Sequence, residues 1–147
     1  MKKRVLMILG AVLIVLLVVA LLFVFVGKRE RTLEEITLGK YGGGRLRYEV
    51  DDYTIIEVYF VSDGKKGDER EGVCCVTINY YKKASYSASG KVFDRYEEKE
   101  YPCTFTDYSL TINGFDHYTY ELETRNGREY VVFSKPFLGV TAWYVNK

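Results

Sequence analysis

The stretch LTINGFDHYTYELETRNGREYVVF, residues 110–133, decides how this chain folds. Leu110 and Ile112 flank Thr111, and Tyr118, Tyr120 and Leu122 alternate with Thr119 and Glu121. A period of two marks a half-buried strand, because successive side chains point to opposite faces. Asn113-Gly114 and Asn126-Gly127 fall between these runs. Asn-Gly supplies the positive φ angles of a type I′ turn, so two tight hairpins are expected here.

The same period extends upstream. Leu46, Tyr48 and Val50 share one face, with Arg45, Arg47 and Glu49 on the other. Ile56, Val58 and Phe60 form a second set, Cys74, Val76, Ile78 and Tyr80 a third, and Tyr101, Cys103 and Phe105 a fourth. Asp51-Asp52 is a further turn candidate, of weaker kind. Downstream, residues 129–134 and 137–145 are apolar on both faces, and Pro136 is expected to separate them. Residues 89–101 read either as a strand through Val92, Asp94 and Tyr96 or as a short helix with Val92, Phe93 and Tyr96 together; the strand is favoured. The expected fold class is mainly β, an antiparallel meander of about eight strands closing as a small barrel or stacking as a sandwich.

Ahead of this β region lies a segment of another kind. Val5 to Val26 contains no charged or strongly polar side chain. As a helix it extends about 33 Å, enough for a hydrocarbon core of about 30 Å. Its core is too long for a signal peptide, and no small-x-small cleavage site follows it. The expected organisation is a basic lead at residues 1–4, a transmembrane signal-anchor helix at 5–26, a juxtamembrane linker at 27–44 and a β-rich domain at 45–147. In the linker, Thr32 with Glu35 fits a capping box, with Leu33 and Ile36 on one helical face. Lys2, Lys3 and Arg4 before a long apolar run favour a cytoplasmic N-terminus and an extracytoplasmic domain, although basic residues also follow the run.

Those three cations precede the span and no acid occurs before Glu30, so the rest of the chain is slightly acidic despite an overall net charge of +1. A domain without a basic block argues against nucleic acid as a partner. The lipid bilayer is the expected first partner; the second is a protein, a glycan or a small apolar ligand.

Candidate chemistry is sparse, and no cofactor, metal ligand set or catalytic residue is expected. Strand phase puts Cys74 and Cys103 on apolar faces and Cys75 outside, so Cys74–Cys103 is the candidate disulfide in an oxidising compartment. His117, the single histidine, follows Asp116. Adjacent strand residues face opposite ways, which makes a surface histidine the expected outcome. Asp63 to Asp68 carries glycines, but Lys65 and Lys66 occupy positions where a calcium loop needs oxygen ligands. The 14 tyrosines are the most unusual feature. Tyr53, Tyr59 and Tyr81, with Trp143, are the candidates for an exposed aromatic binding surface, since such side chains pair a flat apolar face with a polar tip. The expected function is therefore a membrane-tethered, non-enzymatic binding module. An accessory subunit of a membrane complex is the alternative, and a small hydrolase or transferase using His117 the weakest reading.

Overall fold

The computed structural model describes residues 10, 12–21, 31–37, 44–62 and 67–146. The chain divides into two compact units, Met1–Glu30 and Arg31–Lys147. In the first, residues 12–21 form a helix (α1) with exposed side chains. Among the described residues no helix is long and apolar enough to cross a membrane. Much of the span expected at 5–26 lies outside the described residues, as do Asp63 to Lys66 of the charged loop.

The second unit contains a short helix, α2 (Leu33–Thr37), and eight strands among the described residues. These are β1 (Arg45–Asp51), β2 (Thr54–Ser62), β3 (Arg70–Lys83), β4 (Lys91–Phe105), β5 (Ser109–Ile112), β6 (His117–Arg125), β7 (Arg128–Phe137) and β8 (Val140–Asn146). Each pairs antiparallel with the next, and β1 pairs with β8, so the meander closes as a barrel. Residues 91–101, ambiguous in sequence, are strand.

The interior is filled by side chains. Trp143, Phe60, Phe105 and Phe137 are fully buried, together with Leu46, Val58, Leu110 and Val131. Phe60 and Phe105 meet edge to face at 5.7 Å. Gly72 makes room for this pair: a Cβ there would lie 2.8 Å from the Phe105 ring and 2.1 Å from the Val61 carbonyl oxygen.

The domain begins earlier than its strand pattern indicates. The capping box forms as its sequence requires. The Thr32 N–H donates to Glu35 Oε2 at 2.9 Å, and the Glu35 N–H donates to Thr32 Oγ1 at 3.3 Å. The helix so started puts Leu33 and Ile36 into the barrel core, which corrects the assignment of residues 31–37 to a linker. Thr37 Oγ1 accepts the Phe60 N–H at 3.2 Å, fixing α2 to β2. Arg70, also buried, ties the same end together. Its Nε donates to Glu34 Oε1 and its guanidinium to Asp107 Oδ1, at 2.8 and 2.9 Å.

Turn chemistry is confirmed at one Asn-Gly and corrected at the other. Asn126 and Gly127 have φ of 50° and 75°, the two positive values of a type I′ turn. At Asn113-Gly114 only the glycine is positive. There the Phe115 N–H donates to the Ile112 carbonyl, and β6 resumes at His117, giving a longer loop. That loop folds Phe115 against Tyr101 and Phe137, at 5.0 and 5.4 Å. Pro136 does not separate the last two strands. It lies within β7 where the register against β8 shifts, a place that tolerates a missing N–H. The reversal comes at Leu138-Gly139, both with positive φ.

Candidate binding surface

β3 and β4 are the longest strands, and only part of each lies in the closed barrel. β5 pairs with β4 at Cys103 to Phe105, and among the described residues no strand pairs with that edge of β4 from Lys91 to Tyr101. β2 flanks β3 as far as Tyr80; from Tyr81 to Lys83 the β3–β4 pair continues without it as a two-stranded ribbon. Phe93 to Glu100 are exposed on both faces.

The register shifts once in this ribbon. Tyr80 faces Arg95 and Tyr81 faces Phe93, which leaves Asp94 as an extra residue. Such a bulge breaks the two-residue alternation. Phe93 and Tyr96, three apart, therefore share a face, with ring centroids 6.5 Å apart. Tyr81 meets Phe93 edge to face at 6.0 Å. The Tyr81 N–H donates to the Tyr53 carbonyl at 2.8 Å, which draws the β1–β2 turn beside the ribbon. Phe93 and Tyr96 are more than half exposed, at 52% and 59%.

Of the candidate aromatic residues, then, Tyr53 and Tyr81 come together. Tyr59 lies on β2, directly opposite Cys75. The Arg45 guanidinium stacks on its ring at 4.5 Å, and its hydroxyl donates to Glu98 at 3.4 Å. A hydrogen bond with the Cys75 sulfur is the main cause that pushes the Tyr59 hydroxyl up to about 12. Trp143 does not belong to this surface. It is fully buried, opposite Val131, and its Nε1 donates to the Val140 carbonyl. Its strand is apolar on both faces, so the sequence carried no alternation from which to fix its side. Phe93 and Tyr96 were missed for a related reason: a regular strand would put them on opposite faces.

The cysteines also need correction. Cys74 and Cys103 face the core as expected, but the disulfide is not formed; both are free thiols. Cys103 stands opposite Gly72 and Cys74 opposite Tyr101, so the two are diagonal neighbours. Diagonal positions are typically about 7–8 Å apart, wider than a disulfide accommodates. Burial raises both thiol pKa values, that of Cys103 to about 12. Cys75 keeps its outward phase yet is buried between Tyr59 on β2 and Glu100 on β4.

His117 lies at the surface, where its Nδ1 meets Thr111 Oγ1 at 2.8 Å. Asp116 does not orient the ring. One of its oxygens accepts the His117 backbone N–H and the other pairs with Lys135, the main cause of its lowered pKa. A cleft of about 430 Å³ beside β3–β5 is lined by Glu71, Gly72, Pro102, Cys103, Thr104, Thr111 and Asn113; Glu71 stands opposite Thr104, and burial keeps the Cys103 thiol protonated. Among the described residues no three His, Cys, Asp or Glu side chains are grouped to hold a metal. No family model, curated protein or solved structure matches this chain.

Proposed function

We propose that this chain is a membrane-tethered, non-enzymatic binding module, with its barrel outside the cytoplasm and a protein as its partner. The observation that carries the reading is the aromatic face of Tyr81, Phe93 and Tyr96, with Tyr53 in the turn beside it, at a sheet edge that no strand pairs among the described residues. Contiguous exposed apolar surface of this kind is typical of interaction sites. A protein is favoured over a small apolar ligand because Trp143, Phe60, Phe105 and Phe137 occupy the interior where a carrier would hold its cargo. The tether rests on the uncharged run from Val5 to Val26 and its basic flanks.

The membrane and sidedness parts are tested together. The protein is expected in the pellet after carbonate washing, with its first 27 residues retained. Cys75 is too buried to report sidedness. A Tyr86→Cys variant at the 84% exposed hairpin tip should react with an impermeant thiol reagent in intact cells. Labelling only after lysis places the domain in the cytoplasm and overturns the extracytoplasmic assignment. A soluble form starting between about residues 20 and 32 replaces the anchor with a cleaved signal peptide.

A further inference from the structure

The outer face of β4 is complementary to its own reverse. Because of the extra residue at Asp94, that face reads Lys91, Phe93, Tyr96, Glu98 along the strand. Turned end for end, it sets lysine against glutamate and phenylalanine against tyrosine. Charge is distributed in the same sense along the hairpin. Lys82, Lys83 and Lys91 surround the tip with no acid among residues 82–91, whereas the stem from Asp94 to Glu100 carries four acids against two bases, Arg95 and Lys99, with Asp94 paired to Lys82. Lys91 has no carboxylate partner among the described residues; its Nζ lies 6.0 Å from the Tyr53 ring. Glu98 accepts one long hydrogen bond from Tyr59, which leaves it further acceptor capacity.

An unpaired strand edge presents backbone donors and acceptors to any strand that can match it. Charges along an edge normally prevent this, whereas the order of charges on this edge is complementary in one antiparallel register. Centring the pairing on Tyr96 would set Asp94 against Glu98, and centring it on Glu98 would set two glutamates together. Like charges directly opposite are unfavourable in a sheet. Centred on the Asp94–Arg95 step, the same edge brings Lys91 to Glu98 and Phe93 to Tyr96, each twice by symmetry. On the inner face Val92 then meets Glu97, a contact without charge conflict.

We propose that a second copy of this chain is the partner: two β4 edges pair antiparallel across a two-fold axis at the Asp94 bulge, with Lys91 of each copy against Glu98 of the other. The inference rests on the reading of the ribbon as the binding surface and names what it binds. Its interface is isologous, so one substitution alters two contacts at once.

The test uses the full-length chain in detergent micelles, with oligomeric state measured by light scattering and folding checked by circular dichroism. A dimer is expected. Lys91→Glu or Glu98→Lys alone should weaken it by about tenfold, since each turns two ion pairs into two like-charge contacts. The combined Lys91→Glu/Glu98→Lys variant restores the pairs and should restore the dimer, an effect that neither misfolding nor association through the membrane span would produce. Under mild oxidation, a mixture of Lys91→Cys and Glu98→Cys chains should crosslink more than Lys91→Cys alone. A dimer indifferent to all these changes overturns the proposal. So does a monomeric wild type, and a second readout then separates the two readings. If Phe93→Ala/Tyr96→Ala removes crosslinks to another protein in cells, the ribbon remains a binding surface with a different partner. If those crosslinks are unchanged, both readings fall.

Discussion

β3 and β4 run without interruption through two environments, and the same pair of strands behaves differently in each. In the barrel half, Cys74, Val76, Cys103 and Phe105 point inward and are buried. In the outer half the same inward phase of β4 carries Arg95 and Glu97, both exposed, and the change comes at the Val76–Lys99 rung, where Val76 is buried and Lys99 is exposed. The ladder between the strands continues through both halves, so backbone pairing does not require a core. What differs is the company. Near Cys103, β5 lies beside β4 and α2 closes the end; near Tyr96, among the described residues, β3 alone pairs with β4. Apolar burial stabilises the first half, whereas the second is available for contact with something else.

That comparison is broken most directly by large-to-small changes in each half. Trp143→Ala or Phe105→Ala should cost about 3–5 kcal/mol in urea unfolding, whereas Phe93→Ala should cost under about 1 kcal/mol. Similar losses would mean that the ribbon belongs to the core.

The two arginines give the next contrast. Arg70 is 4% exposed and pairs with Glu34 and Asp107, so Arg70→Ala should lose about 3 kcal/mol by leaving carboxylates without their cation. Arg95 is exposed, stacked 4.2 Å over the Tyr80 ring, and Arg95→Ala should change stability by about 0.5 kcal/mol or less. Equal effects would remove the distinction between a locked end and a free one.

The thiols sharpen it through pH. Burial holds Cys74 and Cys103 protonated in the folded state beyond the ordinary thiol value of 9.0. The unfolded chain releases those protons first, so this stability is present below about pH 9 and declines toward about pH 12. Stability should be flat to about pH 8 and then fall, and Cys74→Ala/Cys103→Ala should lessen the fall at its start. Tyr59 and Tyr120, also raised, would maintain a decline at higher pH. A double variant with an unchanged profile between about pH 9 and 10 would show that the thiols are not shielded by the core.

The last contrast marks where the barrel half begins. Thr32→Ala removes one side of the capping box and should cost about 1 kcal/mol. No loss at all would return residues 31–37 to the status of a linker.

The sequence by itself determined what depends on neighbours along the chain. Strand periodicity identifies the inward faces of β2 and β3, Asn126-Gly127 specifies its turn, and Thr32 with Glu35 starts α2. The uncharged run from Val5 to Val26 likewise announces itself through composition alone. Tertiary structure decided what depends on neighbours across the sheet. β8 is apolar on both sides, so only its register with β7 sends Trp143 inward and Tyr144 outward. Cys75 has an outward phase, and only the side chains beside it determine that it is buried. Tyr48 and Val50 keep the inward phase of Leu46 yet are exposed, because β8 pairs with β1 only from Arg45 to Arg47. The aromatic face arises from a single extra residue at Asp94, whose bulge is defined by pairing with β3. Alternation is encoded in each strand, but closure, register and bulges are properties of pairs of strands, and no single segment contains them.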